Sequence, residues 1–150
     1  MGESQVKSRR RVVEHGEVFT AEREVNAMLD MVRQETERID SRFLEPACGN
    51  GNFLAEVLRR KLTVATRRSK RDAAVWERDA FVAVASLYGV ELLEDNVAEC
   101  RDRLLGIVAL EWRRVCGRSG NPEFLDAVAF VLSRNIQCGD ALTMKTAQGE

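Results

Sequence analysis

The chain reads as an α/β fold built on a parallel sheet. Three observations predict it. The first is the run Phe43-Leu44-Glu45-Pro46-Ala47-Cys48-Gly49-Asn50-Gly51-Asn52-Phe53, which has the form of a short strand, a tight glycine turn and a helix start. Pro46 cannot donate to a ladder, so the strand stops there. The second is a pair of later strand-like runs, Leu87-Tyr88-Gly89-Val90-Glu91 and Asn135-Ile136-Gln137-Cys138. The third is the length of the helical stretches between these runs, since parallel strands need long crossover connections. About three parallel strands with helices on both faces are expected, in one domain large enough for a real core.

Taken in order, Met1 to Arg11 is polar and carries Lys7, Arg9, Arg10 and Arg11. Residues 1–16 are expected to form a frayed basic arm, with phosphate contact to nucleic acid as a secondary reading. Thr20 is placed as an N-cap. Val25, Met28, Leu29 and Val32 then form the apolar stripe of a helix of about four turns. Ile39 to Glu45 is the first strand. Asn52 to Arg60 is its helix, with Phe53, Leu54, Val57 and Leu58 at helical spacing. Thr66 to Asp72 is a basic cluster, expected as a solvated loop. Ala73 to Ser86 is an amphipathic helix that looks like an added element, because the second acid-bearing strand of such folds usually follows about twenty residues after the turn. Leu87 to Glu91 is the second strand. Asp95 or Asn96 would cap a helix from Val97 to Leu105, and Ile107 to Val115 is again helical, with Trp112 in the core. Gly117 to Pro122 is a turn. Asn121 as N-cap and Pro122 at the first helical position start the next helix, which Ala127 to Leu132 completes. Asn135 to Cys138 is the third strand, with Gly139-Asp140 turning after it.

Composition narrows the classes. Among 150 residues, 45% are hydrophobic and 31% charged, and the formal net charge is -1. No global basic field argues for nucleic acid. No apolar run is long enough to span a membrane, and the polar N-terminus lacks a signal-peptide core. Cys48, Cys100, Cys116 and Cys138 are scattered, and His15 is the single histidine, which argues against zinc. Free thiols in a reducing cytoplasm are the simpler account.

The glycine turn carries the chemistry. A dinucleotide fingerprint needs a third glycine where Leu54 stands, and no Gly-Lys-Ser/Thr phosphate loop is present. Glu45, at the strand end, would repel a pyrophosphate and suits a cationic ligand. The run Glu45 to Phe53 closely resembles motif I of S-adenosylmethionine-dependent adenine-N6 DNA methyltransferases. Val18-Phe19-Thr20-Ala21-Glu22 resembles motif X of the same family, with Ala21 in place of the usual proline. Tyr88-Gly89-Val90-Glu91-Leu92 resembles motif II, and Asn135-Ile136 with Gly139-Asp140-Ala141-Leu142 resembles motif III. The order X-I-II-III is that of the gamma class.

The resemblance covers roughly Glu17 to Leu142 and implies a Rossmann-like methyltransferase sheet, of which this chain would hold the N-terminal part, residues 17–150. It implies S-adenosylmethionine as cofactor, lined by Phe19, Thr20, Glu45, Ala47, Cys48, Gly49, Gly51, Phe53, Glu91, Asp140 and Ala141. Glu45 would face the methionine ammonium, Glu91 the ribose and Asp140 the adenine amine. Its setting would be restriction-modification, with DNA as the partner of the full enzyme. The family's catalytic Asn/Asp-Pro-Pro-Tyr/Phe is absent from the 150 residues. Asn121-Pro122-Glu123-Phe124 precedes motif III and reads as a helix start, so no residue is assigned as catalytic. The chain is therefore expected to be the cofactor half of a longer enzyme. A catalytically inactive methyltransferase-like subunit, or a fragment of an RNA or protein-glutamine methyltransferase, are the alternatives. The first strand would lie at an open sheet edge, so self-association is expected.

Overall fold

The structure, a computed structural model, describes residues 4–146 and 149. It is a mixed α/β fold. In chain order the elements are α1 (Arg9–His15), α2 (Glu22–Asp30), α3 (Arg33–Thr36), β1 (Phe43–Glu45), α4 (Asn52–Ser69), α5 (Ala73–Ala85), β2 (Leu87–Glu91), α6 (Glu94–Val115), α7 (Phe124–Asn135), β3 (Ile136–Asp140) and β4 (Lys145–Thr146). The sheet order is β1-β2-β3-β4. β1 and β2 are parallel, as are β2 and β3, while β4 returns antiparallel to β3.

Register places Phe43 beside Leu87, and Gly89 beside both Glu45 and Ile136. Leu87, Gly89 and Ile136 are buried, and Phe43 packs on the same core. α4 and α5 pack on β2, as do α6 and α7. The alternate residues Leu44 and Tyr88, at 66% and 37% exposure, occupy the other face. The expectation of helices on both faces is thus corrected. Successive strands are added in one direction, and right-handed crossovers then deliver every connecting helix to the same face. Among the described residues the Leu44 face is open, and β1 is an edge strand.

The core is built from spacing. On α4, Leu54, Val57, Leu58, Leu62 and Ala65 recur at three and four residues and are all buried. Thr66 extends this helix because its hydroxyl accepts from the Trp76 indole N–H at 2.9 Å. The basic cluster is therefore not a loop over its whole length. Arg67 and Arg68 lie in the last turn of α4, and the chain reverses through Lys70 and Arg71 at φ 48° and 69°. Asp72 then caps α5, accepting from the Val75 amide at 3.0 Å. Trp112 stacks on Phe124 with ring centroids 6.2 Å apart, and its indole N–H donates to Glu77 at 2.7 Å. Among the described residues no helix is long and apolar enough to cross a membrane.

Several boundaries differ from the sequence reading. α2 is shorter than four turns and begins after Ala21, without a side-chain cap, so Thr20 is not the N-cap. The strand expected from Ile39 starts at Phe43, because Ile39 and Ser41 turn their carbonyls to Lys61. The two helices expected on either side of Gly106 are one, α6, begun after Leu93 rather than capped by Asp95 or Asn96. The arm is not frayed over 9–15: Ser8 caps α1, and Gly16 ends it in the left-handed conformation. Asn135 ends α7, and β3 runs on through Gly139 and Asp140.

Lys61 is fully buried. Its ammonium donates to the carbonyls of Ile39 and Ser41 and to the Ser86 hydroxyl, and lies 5.2 Å from the centre of the Phe43 ring. Burial pushes its pKa down to about 8, so it remains protonated at neutral pH and serves all three acceptors. It thereby ties the approach to β1 to the approach to β2. Lys61→Met keeps the stem and removes the donors. It is expected to destabilise the fold by about 2–3 kcal/mol in urea unfolding, the cost of leaving buried acceptors unpaired. An unchanged midpoint would show that water replaces the ammonium.

Candidate functional site

The carboxyl ends of β1, β2 and β3 open onto a cleft of about 550 Å³. In parallel α/β sheets this edge is where ligands bind. The turn after β1 builds its floor. Pro46 interrupts the ladder, and the Cys48 amide resumes it by donating to the Val90 carbonyl at 3.0 Å. The Gly51 amide closes the turn on the Cys48 carbonyl at 2.9 Å. Gly49 and Gly51 both have positive φ, 53° and 90°. A side chain would be crowded at both positions, more so at Gly51. A Cβ on Gly49 would stand 3.1 Å from the Phe19 ring, and one on Gly51 would stand 2.8 Å from Cys100 Sγ.

Carboxylates recur in the lining. Glu91, the last residue of β2, accepts from the Gly49 amide at 2.9 Å and from the Leu93 amide at 3.1 Å. Asp140, the last residue of β3, accepts from the Leu142 amide at 2.8 Å. Glu45, the last residue of β1, is half-buried, and burial pushes its carboxyl up, opposed by a bond from the Ala47 amide. Glu17 adds a fourth, held by Arg11 and Asn96 at 2.6 Å each, bonds that keep its carboxyl below the usual range against the opposing effect of burial. Among the described residues no lysine or arginine lines the cleft.

The residues that the sequence singled out converge here. Glu45, Ala47, Cys48 and Gly49 come from the turn after β1, and Phe53 from the first turn of α4. Phe19 and Thr20 come from the segment before α2, and Glu91, Asp140 and Ala141 from the later strand ends. Gly51 is the exception: it is buried beneath the turn and shapes the cleft without lining it. Thr20 contributes its carbonyl to the arrangement, accepting from the Asn52 side chain at 3.0 Å, while Arg103 donates to the same Asn52. Phe19 is buried, and its amide donates to the Gln5 carbonyl at 2.7 Å. The Cys48 thiol donates to the Gly49 carbonyl at 3.9 Å, and the neighbouring Cys100 together with burial pushes its pKa up.

The sequence reading missed His15, Glu17, Met28, Asn50 and Asn52 as lining residues. Asn50 and Asn52 alternate with the two glycines and could have been found from that alternation. His15 sits in the segment read as a frayed arm, and Glu17 follows it at the start of the cofactor-binding part, where its placement depends on Asn96, distant in sequence.

Gly51→Ala puts a side chain at φ 90° and against Cys100 Sγ. It is expected to lower stability by about 2–3 kcal/mol by combining backbone strain with overpacking. Gly106→Ala, on the open side of α6 with nothing within 4 Å of its Cβ, is expected to be neutral or mildly stabilising. Thermal unfolding of the two variants compares them, and equal midpoints would remove the steric account of the turn.

Comparison with protein-family models, with curated proteins and with solved structures finds no match to this chain.

Proposed function

We propose that the chain is the cofactor-binding portion of an S-adenosylmethionine-dependent adenine-N6 DNA methyltransferase of the restriction-modification type, with a Rossmann-like sheet. One observation carries the reading: three adjacent parallel strands end in carboxylates, Glu45, Glu91 and Asp140, around a glycine turn in a cleft that no lysine or arginine lines among the described residues. The donor set fits the group. A carboxylate accepts from an ammonium, from vicinal hydroxyls and from an exocyclic amine, and the anionic lining disfavours a nucleotide phosphate. The cleft volume lies within the usual range for small-ligand sites.

When bound, S-adenosylmethionine supplies an electrophilic methyl group on a sulfonium. Glu45 would take the methionine ammonium, Glu91 the ribose hydroxyls and Asp140 the adenine amine, with Phe19 and Phe53 giving apolar contact. The amides of Gly49 and Leu93 hold the Glu91 carboxylate in place, so it can accept further donors without reorganising. No residue of this chain is given a role in activating the target amine, and recognition of DNA falls to the full enzyme.

Calorimetric titration with S-adenosylmethionine tests the reading. Asp140→Ala is expected to weaken binding about 10- to 100-fold, the range for a hydrogen bond to a charged group. Glu45 adds a pH dependence. Its carboxyl titrates above the ordinary value, and only the ionised form attracts an ammonium. Affinity should therefore hold at about pH 7.5 and fall as pH drops toward about 5, more steeply than for Glu45→Gln. A folded chain that does not bind, or a Glu45→Gln variant with the same pH profile, would count against the assignment.

The open β1 edge, with Leu44 exposed beside it, favours a second reading, in which the chain also assembles with a copy of itself. Sedimentation equilibrium should then give a mass above the monomer that falls in Leu44→Lys. A wild-type monomer at high concentration would end this reading.

A further inference from the structure

Asn96 lies in the first turn of α6 and is fully buried. A buried amide must place its donors and its acceptor. Asn96 Oδ1 accepts from Lys7 Nζ at 2.7 Å. Asn96 Nδ2 donates to Glu17 Oε2 at 2.6 Å and, at the long limit of 3.4 Å, to Glu91 Oε1. Two of these partners, Lys7 and Glu17, belong to the N-terminal segment that precedes α2, here called the N-terminal arm. The third is the β2 carboxylate whose other oxygen accepts from the Gly49 amide.

The arm is attached at several points around this residue. Lys7 also reaches Asp95 and Glu99, at 3.2 and 2.6 Å. Arg11 bridges Asp95 and Glu17, with both contacts at 2.6 Å. Both cations are about one-quarter exposed, at 25% and 23% of their side chains. The same arm forms one wall of the cleft, from His15 to Thr20, and sets the Phe19 ring against Gly49. Arm attachment and carboxylate placement therefore meet at one amide.

We infer that Asn96 is a positioning residue that couples closure of the N-terminal arm to the geometry of Glu91, so that the arm acts as a latch on the cleft. With Lys7 and Arg11 in place, Asn96 is held with its amide toward Glu17 and Glu91, and Glu91 stays on the Gly49 and Leu93 amides. Release of the arm frees Asn96, removes the Phe19 wall and loosens Glu91 together. The contacts that hold the arm are ionic and partly solvated, so the latch weakens as salt rises. The ligand side of this inference rests on the reading of the cleft proposed above, while the coupling itself does not.

The double variant Lys7→Met/Arg11→Met tests it, because neither residue touches Gly49, Leu93 or Glu91. The first readout needs no ligand. Amide hydrogen exchange at Gly49 and Leu93 is expected to quicken about tenfold in the double variant, within the usual range of coupling between sites. Lys7→Arg with Arg11→Lys, which keeps both charges, should restore most of the protection. Faster exchange at Phe19 with unchanged exchange at Gly49 and Leu93 overturns the coupling. The second readout is S-adenosylmethionine affinity, expected to fall about tenfold in the double variant, with the ligand slowing Phe19 exchange in the wild type by a similar factor, as linkage requires. Equal affinity in the two proteins also overturns it. A wild-type chain that binds no S-adenosylmethionine removes the assigned ligand, and the amide comparison then decides the coupling alone.

Discussion

The bond from the Gly49 amide to the Glu91 carboxylate joins the turn after β1 to the end of β2. Around it the chain has little freedom. The Cys48 amide is committed to Val90, so the turn continues the sheet past a proline that cannot. Cys100 Sγ sits beneath Gly51, and Cys48 Sγ would meet a Cβ on Gly89 at 2.9 Å. The turn, α6 and β2 therefore meet at distances that suit glycine at 51 and 89, where a Cβ would have to displace a cysteine sulfur. The cleft follows from this packing: a turn held at its own edge leaves its upper surface open between three strand ends.

Crowding acids at one sheet edge has an electrostatic cost, and the fold offsets it with main-chain donors. Glu91 takes two amides, Asp140 one and Glu45 one. α6 begins at Glu94, three residues after Glu91, so the positive end of its dipole lies near the carboxylate. Among the described residues no lysine or arginine lines the cleft, and Arg11 reaches the fourth acid, Glu17, from behind it. Lys7 and Arg11 stand behind the wall instead, paired with Asp95, Glu99 and Glu17. The division keeps the lining anionic while the assembly stays close to neutral, in line with a chain whose formal charge is -1.

What sequence periodicity conveys, and what it does not, follows from the range of each interaction. β2 was placed residue for residue, because a glycine between bulky apolar residues and a terminal acid is a local pattern. The acids at the strand ends and the glycine turn are also local, and the cleft brings them together. The two helical ranges read as Val97 to Leu105 and Ile107 to Val115 are continuous through Gly106, whose face is open and where the penalty for glycine in a helix is about 1 kcal/mol. The basic run after Val64 looked like loop from its charge, but Thr66 is recruited by Trp76 and Ser69 is buried, which carries the helix further. β4 is two residues long and has no pattern to read. The arm was misjudged for a different reason. Its charges are matched by Asp95 and Glu99, far along the chain, and composition alone cannot distinguish a paired cation from a free one.

The helices between β1 and β2 illustrate how much chain such a cleft accommodates. The second acid comes later in this chain than the roughly twenty residues typical of nucleotide-binding sheets. α5 accounts for the delay, and it packs on α4 and α7 through Trp76, whose ring meets Phe124 edge-on at 5.9 Å. Trp112 stacks on the other side of Phe124, so α5, α6 and α7 share one aromatic cluster. That cluster lines no part of the cleft. The geometry of the acids depends on strand register, which pairs Glu45 with Gly89 and Glu91 with Cys138, and register is set by hydrogen bonds and by the buried face of the strands. Chain length between strands does not enter. An insertion that brings its own apolar partners can thus thicken the helical layer without moving the residues at the open edge, and the arm can be recruited as a wall because α6 presents its first turn beside that edge.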